Sequence, residues 1–481
     1  MMSEIKRDAL ASYGLSVLSG ALLAMSYAMH PIWWAAWLAP APVIVATLRA
    51  PVGHRRWLTL LTGLIGGTSS FSYHLTVGGW FAALLILVLV ALAWSSAVRL
   101  AITFVERRQL LPAVLAIPVT WAAIDTLLIH MSPHGSAGSI AYSQMNALPV
   151  IQVASLGGVP AITFVVLLGG SLLGILLATR MSMDRRGTLM VVGAAVAVIG
   201  ATLLFGVMRL SGVAPALMGA RVALIATDGI PSQPRDWDAF RAAYGPEIAQ
   251  VIEPGMIVLL PEGIVRLPIA AADRGARSLA AYAARRSATV IVGVIVDDAH
   301  QVTNRALIAR PDGSYRWYVK QHLVPGVEAG ITPGTSSVVL HDGMTGIGIA
   351  ICKDMHFPTL GRDYARDNTR LTLVPANDFE VDDWLTARMT VLRGVESGSS
   401  IARAARHGIS FVSDRYGRVI AERRSSAAMG ALVTRTPVDP GDATIYAKLG
   451  DVFGWLCVLA WTLLLVFRVS LSSKLAANDR L

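Results

Sequence analysis

The sequence is poor in two kinds of residue, charged side chains and cysteine. Charged residues make up 15% of its 481 residues and hydrophobic residues 54%, whereas a soluble protein carries about 25% charged residues. The two cysteines, Cys352 and Cys457, are too few for a disulfide framework in a chain of this length. The composition therefore argues against both a soluble fold and a disulfide-held one.

Acidic residues are scarce outside one region of the chain. Residues 213–451 hold 26 Lys and Arg against 25 Asp and Glu, and the rest holds 15 against 6. Hence +9 of the formal net charge of +10 lies beside apolar segments. Basic residues in such places set membrane topology. We therefore expect no nucleic-acid partner, although a positive net charge alone would suggest one.

Long apolar runs predict a membrane domain, because each can cross about 30 Å of hydrocarbon. One of them, residues 33–48, is short and contains Pro40 and Pro42, which makes it the weakest candidate. We predict seven spans followed by a polar region and one further span. The runs are residues 10–28, 33–48, 58–73, 80–104, 111–129, 151–178, 189–208 and 452–467.

The basic residues between these runs predict the orientation of the chain. With seven spans and then one, every basic cluster falls on one side, which the positive-inside tendency assigns to the cytoplasm. The polar region then lies on the extracytoplasmic side. We predict domains at 1–212, 213–447 and 448–481. The residues of these basic clusters are Lys6, Arg7, Arg49, Arg55, Arg56, Arg107, Arg108, Arg180, Arg185, Arg186, Arg468, Lys474 and Arg480.

Two other interpretations of the apolar half fit less well. A cleaved signal peptide is disfavoured because six further spans follow the first and no small-residue cleavage site stands out. A transporter or channel usually has ionisable groups at membrane depth. Spans one to seven hold almost none apart from Arg99 and Asp125, near span ends.

The polar region has the pattern of an α/β fold. Near-continuous apolar runs predict buried strands at 222–226, 256–260, 289–296, 345–351 and 371–375. Amphipathic stretches predict helices at 237–252, 276–288 and 384–397. Asp312-Gly313 predicts a hairpin turn, and 414-DRYGRVIAE-422 a second one. Alternating strands and helices with hairpins predict a sheet covered on two faces.

Three polar residues each stand just past a strand-like run, at the positions where open α/β sheets form their sites. Glu262 follows 256-MIVLLP-261, Lys320 ends 315-YRWYVK-320, and Cys352 follows 345-TGIGIAI-351. Taken alone, Cys352 would more often be a buried core thiol. Together the three are chemically complete: a thiol nucleophile, a carboxylate to take its proton and an ammonium for the oxyanion, together with backbone N–H groups after the cysteine.

Two other ways of activating the thiol fit the sequence less well. A Cys352–His356 dyad is disfavoured, because Phe357-Pro358 suggests a turn there and not a helix. Zinc is disfavoured too, since Cys352 and His356 lack a second ligand pair. We therefore expect neither a metal nor any other cofactor.

These residues resemble the nitrilase superfamily of carbon–nitrogen hydrolases, which has Glu, Lys and Cys in this order. Further stretches are similar to bacterial apolipoprotein N-acyltransferase, in the polar region and in both membrane parts. The resemblance implies an αββα sandwich inserted between seven membrane helices and a last one. The stretches are 231-PSQPRDW-237, 261-PEG-263, 319-VKQHLVPGVE-328, 350-AICKDMHFP-358, 377-ND-378, 393-RGVESGSSIARAARHGIS-410, 141-AYSQMNALPVIQVASLGGVPAITFVV-166 and 444-TIYAKLGDVFGW-455.

The resemblance implies a ping-pong transfer of an acyl chain from a phospholipid to the α-amino group of a diacylglyceryl-cysteine lipoprotein. Cys352 would form the thioester, Glu262 would act as base and Lys320 would hold the oxyanion. Glu328 matches a second glutamate that supports the triad, and Trp237 an aromatic residue at the substrate entrance. We expect a monomer in the bacterial cytoplasmic (inner) membrane, with phospholipid and lipoprotein as partners.

The sequence departs from the family pattern beside the nucleophile. Lys353 stands where an aromatic residue is usual, and Asp354 where a glutamate is usual. An ammonium beside Cys352 should lower the thiol pKa or attract an anion. The loop after Asn377-Asp378 also looks shortened, which leaves a different acceptor open. A membrane-anchored amidase-like hydrolase with the same triad, or an inactive scaffold, are the other interpretations.

Overall fold

A computed structural model describes residues 2–179, 185–211, 217–230, 232–342, 345–438 and 442–478. The described residues do not include Arg180 and Arg480, two of the basic residues that predict the orientation, or Pro231, the first residue of a motif quoted above. The predicted domain boundary at 212–213 also lies outside them. The chain forms two compact units. The first contains residues 1–132, 138–211 and 451–481, and the second contains residues 133–137 and 212–450.

The first unit is helical. Its apolar residues occur all around most of its long helices, which is typical of membrane-embedded segments. Short 3₁₀ helices lie at Thr68–Ser70 and Ile140–Asn146. The helices are α1 (Met2–Tyr27), α2 (Trp33–Leu38), α3 (Pro40–Arg49), α4 (Val52–Gly67), α5 (Phe71–Glu106), α6 (Leu110–Met131), α7 (Leu148–Ile151), α8 (Ala154–Thr179), α9 (Arg185–Ser211) and, after the second unit, α15 (Val452–Asn478).

Six helical stretches among the described residues are long and apolar enough to cross a membrane. One of them, residues 52–106, is 55 residues long; a straight helix of that length would span about 80 Å, far more than a bilayer. It is interrupted at Thr68–Ser70, and α4 packs against α5. The predicted runs 58–73 and 80–104 therefore belong to a pair of packed helices.

The predicted run at residues 33–48 is not one continuous helix. It is divided into α2 and α3 at Ala39-Pro40. Proline fits the first turn of a helix, but in a helix interior it removes a hydrogen bond. Pro40 therefore begins a new helix. This agrees with the sequence analysis, in which the prolines made this run the weakest candidate for a membrane span. Eight membrane crossings remain a prediction.

The second unit contains two mixed sheets that pack face to face. The first has the order β13-β1-β2-β4-β5-β6, with β3 also paired to β4, and the second has the order β12-β11-β10-β9-β8-β7. The strands are β1 (Leu217–Ala226), β2 (Ile257–Leu259), β3 (Val265–Pro268), β4 (Thr289–Asp297), β5 (Val302–Ala309), β6 (Tyr315–Val319), β7 (Val339–Asp342), β8 (Thr345–Ile349), β9 (Thr369–Asn377), β10 (Ser400–Arg406), β11 (Ile409–Ser413), β12 (Val419–Arg424) and β13 (Gly430–Val438).

Helices cover the outer face of each sheet, which gives the αββα sandwich expected from the sequence. Two helices pack on the first sheet and two on the second, and a 3₁₀ helix lies at Cys352–His356. Buried Ala, Val, Leu and Ile side chains fill the space between the first sheet and its helices. The helices are α10 (Trp237–Val251), α11 (Ile269–Arg286), α12 (Pro358–Arg366), α13 (Asp383–Ser397) and α14 (Ile445–Leu449).

The predicted elements of this unit are confirmed. Each of the five predicted strands overlaps a strand, and each of the three predicted helices overlaps a helix. Asp312-Gly313 joins the antiparallel pair β5–β6, and residues 414–418 join β11 to β12. Helix α11 begins at Ile269, seven residues before the predicted start at 276, directly after Pro268 at its N-cap.

Candidate active site

Three strand ends bring the predicted catalytic residues together. Glu262 follows β2, Lys320 directly follows β6, and Cys352 follows β8. The carboxylate and the ammonium thus belong to the first sheet, whereas the thiol belongs to the second. The site therefore lies between the two facing sheets of the sandwich.

Lys320 is the centre of a buried hydrogen-bonded network. Its Nζ donates to Oε1 of Glu262 at 2.6 Å and to Oε2 of Glu328 at 2.8 Å. The amide Nδ2 of Asn304 donates to the same Glu262 oxygen at 2.6 Å and to Oε1 of Glu328 at 2.9 Å. Two carboxylates are thus held by one ammonium and one amide, and the lysine side chain is only 1% exposed.

Burial and charge act in opposite directions on these groups. Burial raises the pKa of Glu262, and the charge of Lys320 counteracts this in part. For Lys320, burial disfavours the ammonium, but the charges of Glu262 and Glu328 prevail, so the pKa is raised. Lys320 therefore stays charged at neutral pH and is a fixed positive group in the site.

Cys352 has an unusual backbone conformation. Its φ is +43°, in the left-handed region that costs a non-glycine residue about 1–2 kcal/mol. Such conformations persist where the surrounding structure enforces them, and they are concentrated at functional sites. The Sγ of Cys352 donates to the carbonyl oxygen of Asn377 at 3.7 Å, and the N–H of Asn377 donates to Oε2 of Glu262 at 3.1 Å. One residue thus bridges the thiol and the carboxylate.

The thiol of Cys352 is protonated at rest. Burial raises its pKa most, the charges of Glu262 and Asp378 raise it further, and Lys320 and Arg403 lower it. The net direction is upward, because desolvation exceeds the effect of nearby cations. The lowering of the thiol pKa expected from Lys353 stays a prediction. A buried thiol of this kind needs a base at the moment of attack.

Asp354 holds the nucleophile turn and the end of β6 together. Its Oδ2 accepts from the Tyr318 hydroxyl at 2.7 Å and from the Ile351 N–H at 2.9 Å. Its Oδ1 accepts from the N–H groups of Gln321 at 3.0 Å and His322 at 2.8 Å. This fully buried carboxylate therefore fixes Cys352 relative to Lys320, without itself being one of the reacting groups.

Lys353 is almost completely buried, with 3% of its surface exposed. Burial lowers its pKa to about 8, and the charge of Lys320 contributes to the same effect. The Lys353 amide N–H makes no hydrogen bond with the described residues, so it is available as an oxyanion donor directly after the nucleophile.

Trp237 lies away from this network. Its indole Nε1 donates to the Ala271 carbonyl at 2.9 Å, and its ring makes an edge contact with Phe240. The ring packs so closely on Gly275 that a Cβ there would overlap it. The interactions of Trp237 described here thus lie between α10 and α11, and its role at a substrate entrance remains a prediction.

The residues around His356 give no support to a Cys–His dyad. Residues 352–356 form a 3₁₀ helix, and α12 begins at Pro358. Both ring nitrogens of His356 are buried and neither makes a hydrogen bond within the described part of the chain. The described residues contain no group of three or more His, Cys, Asp and Glu side chains that could hold a metal ion.

Sequence reasoning missed two buried polar residues of the site. Asn304 lies inside the apolar strand β5, and Arg403 lies inside β10, where it forms a buried ion pair with Asp378. A polar residue within an apolar strand is a signal in itself, because buried polar groups need partners. The loop after Asn377 is short, since residues 378–382 alone connect β9 to α13.

Two family models match different parts of the chain. The apolipoprotein N-acyltransferase N-terminal domain matches residues 19–172, and the carbon–nitrogen hydrolase model matches residues 259–443. The first match lies in the membrane part, and the second lies in the sandwich and includes the three strand-end residues.

Two curated relatives carry the same description. The apolipoprotein N-acyltransferase of Geobacter metallireducens is 26% identical over 512 aligned residues, which cover 93% of each chain. That of Borreliella burgdorferi is 28% identical over 113 residues, 23% of this chain and 22% of the relative. Among solved structures, an amidase from Nesterenkonia sp. is 22% identical with a TM-score of 0.38, covering 47% of this chain and 94% of its own.

Proposed function

Because the chain belongs to the apolipoprotein N-acyltransferase family, a membrane branch of the carbon–nitrogen hydrolases, we propose that it transfers an acyl chain from a phospholipid to a lipoprotein. Glu262, Lys320 and Cys352 are the catalytic residues. The observation that carries this assignment is the hydrogen-bonded path from the Cys352 sulfur through Asn377 to Glu262, with Lys320 bound to the same carboxylate.

The first half-reaction consumes the phospholipid. As Sγ of Cys352 attacks the ester carbonyl carbon, Glu262 takes the thiol proton, because the thiol is protonated at rest. The negative charge that develops on the carbonyl oxygen is stabilised by Lys320 and the Lys353 N–H. The ester C–O bond then breaks, the proton passes to the departing oxygen, and lysophospholipid leaves a thioester on Cys352.

The second half-reaction transfers the chain to the lipoprotein. Its α-amino nitrogen attacks the thioester carbon, and Glu262 accepts a proton from the amine. As the C–S bond breaks, Glu262 passes this proton to the leaving sulfur, which returns the Cys352 thiol and releases the amide product. Both substrates are lipids, which is the reason for joining the sandwich to membrane helices. We place the sandwich on the extracytoplasmic side of the bacterial cytoplasmic membrane, on the basis of the basic residues between the spans.

Mass spectrometry tests the nucleophile. The purified chain is incubated with phospholipid, and we expect one acyl mass on Cys352 that hydroxylamine removes. Cys352→Ala should abolish the adduct. Cys457→Ala, in the other unit, is the matched control and should retain it. An adduct that persists in Cys352→Ala would show that another residue carries the chain.

A second assay separates transfer from hydrolysis. A diacylated lipopeptide with a free α-amine is added to the acylated enzyme, and the triacylated product is measured. We expect the thioester to be consumed in step with formation of this product. Release of free fatty acid at a rate that the lipopeptide leaves unchanged would contradict the transferase and assign the chain as a hydrolase.

A further inference from the structure

Lys353 is a buried lysine, 3% exposed. Its ammonium forms no hydrogen bond or ion pair with the described residues, although the charge of Glu328 opposes the lowering of its pKa by burial. The nearby carboxylates are engaged elsewhere: Glu262 and Glu328 with Lys320, and Asp354 with Tyr318 and backbone N–H groups. Burying an unpaired charge is costly. The Lys353 ammonium therefore lies in the resting site without a hydrogen-bonded partner of its own among the described residues.

His356 is a second unsatisfied group beside Lys353. Both of its ring nitrogens are buried without a hydrogen bond among the described residues. Burial lowers the pKa of His356 far below its usual value, and the charge of Lys353 lowers it further. The ring is therefore neutral at physiological pH, with one N–H to donate and no acceptor in place.

The local backbone puts these two groups together and next to the nucleophile. Residues 352–356 form a 3₁₀ helix, in which side chains three positions apart lie on the same face. Lys353 and His356 have this spacing. The Cα of Lys353 is also about 3.8 Å from that of Cys352. A charge-bearing group held by this pair would therefore lie within a side chain's length of the acylated sulfur.

We infer that Lys353 and His356 form a binding recess for the phosphodiester of the acyl donor. This inference rests on the proposed function. The phosphodiester of a phospholipid carries one negative charge and several acceptor oxygens, which complement one ammonium and one imidazole N–H. The recess would hold the head group of the donor while Cys352 attacks its ester. A lipid ester without phosphate would gain nothing from it.

The test compares two donors that differ only in the phosphate-bearing head group. Phosphatidylethanolamine and diacylglycerol with the same acyl chains are presented in detergent micelles to the full-length chain. The initial rate of thioester formation on Cys352 is followed by intact mass. In Lys353→Met we expect the kcat/KM ratio of phosphatidylethanolamine to diacylglycerol to fall at least tenfold.

Matched variants distinguish charge from structure. Lys353→Arg keeps the positive charge and should keep the ratio within about threefold of wild type, and the exposed Lys448→Met should leave it unchanged. His356→Ala should lower the ratio as well, and it provides the test if Lys353→Met does not fold.

Three results would overturn the inference. They are an equal loss with both donors in Lys353→Met, no loss with either donor, or a folded His356→Ala that keeps the full ratio. The absence of any Cys352 thioester in the wild-type chain with both donors would instead count against the proposed function, so the two failures are distinguishable.

Discussion

At the scale of single residues, the site depends on the groups that stabilise two neighbouring buried carboxylates. Glu262 and Glu328 both bond to Lys320, which supplies one positive charge for two negative ones. Asn304 adds a donor to each carboxylate, and the Val324 N–H donates to Glu328 at 2.7 Å. A hydrogen bond to a charged group is worth about 1.5–3 kcal/mol. Asn304 was not predicted from the sequence, yet it donates a hydrogen bond to both carboxylates of the network.

Replacing Asn304 should slow acylation of Cys352. Asn304→Ala removes a donor from Glu262 and one from Glu328, and we expect a 10- to 100-fold slower rate of thioester formation, since 1.4 kcal/mol is a factor of ten. Asn304→Asp should be slower still, because it adds a third negative charge beside the two carboxylates. Single-turnover rates are normalised to folded protein. A rate of thioester formation in Asn304→Ala equal to that of wild type would show that Asn304 does not contribute to acylation.

The sequence predicted the strand-end residues but not the strand-interior ones. Glu262, Lys320 and Cys352 each follow an apolar run, and their types form a complete catalytic set. Nothing in the sequence shows that Asn304 points at two carboxylates, because that depends on the pairing of β5 with β6. The φ of +43° at Cys352 could not be foreseen either. The turn that contains it is held through Asp354, which accepts from the Gln321 N–H, 33 residues away in sequence.

At the scale of elements, an ion pair ties β10 to the turn that follows β9. Arg403 and Asp378 are fully buried and bonded to each other, and Nη1 of Arg403 donates to the Ile409 carbonyl at 3.0 Å. Asp378 directly follows Asn377, whose carbonyl and N–H contact the thiol and Glu262. The pair therefore supports the backbone that bridges nucleophile and base.

Breaking this pair should destabilise the sandwich. Arg403→Met leaves Asp378 buried without its cation, which costs about 3–5 kcal/mol, so we expect the Tm of the sandwich to fall by about 6–20 °C. The double variant Arg403→Met with Asp378→Asn removes both charges and should recover part of this loss. Thermal unfolding monitored by tryptophan fluorescence provides the measurement. A double variant less stable than Arg403→Met would contradict the pairing argument.

Secondary structure was predictable where one signal dominated. The strands of the sandwich are apolar and short, and turns such as Asp312-Gly313 carry their own geometry. The membrane helices were harder, because uniform hydrophobicity hides their breaks. Pro40 marked one break, and the kink at Gly79, with φ +74°, lies in the gap predicted between the runs 58–73 and 80–104. The interruption at Thr68–Ser70 lies inside the first of these runs and was not predicted.

At the scale of the whole molecule, the chain is a multi-pass membrane protein, and its basic residues predict its orientation. They predict that the start of α4, where Gly53 lies, faces the cytoplasm and that the sandwich faces outward. Both Gly53 and Ser426 are exposed, and a Cβ at Gly53 would meet no atom within 4 Å. Each can therefore carry a single engineered cysteine in a chain whose two natural cysteines are changed to serine.

Labelling of intact spheroplasts with a membrane-impermeant maleimide tests this orientation. Ser426→Cys should react from outside, whereas Gly53→Cys should react only after the membrane is opened with detergent. The cysteine-free parent controls for background. Labelling of Gly53→Cys but not Ser426→Cys in sealed spheroplasts would invert the orientation and place the sandwich in the cytoplasm.

The division of the site between two sheets makes its chemistry sensitive to their alignment. The sulfur moves with one sheet, while the base and the ammonium move with the other. A slip of one layer over its neighbour, even one that leaves every ladder of backbone hydrogen bonds intact, would draw base and nucleophile apart. Enzyme turnover is therefore more sensitive to the alignment of the two sheets than any measure of secondary structure. We expect turnover to be lost before secondary structure under mild pressure or in dilute denaturant.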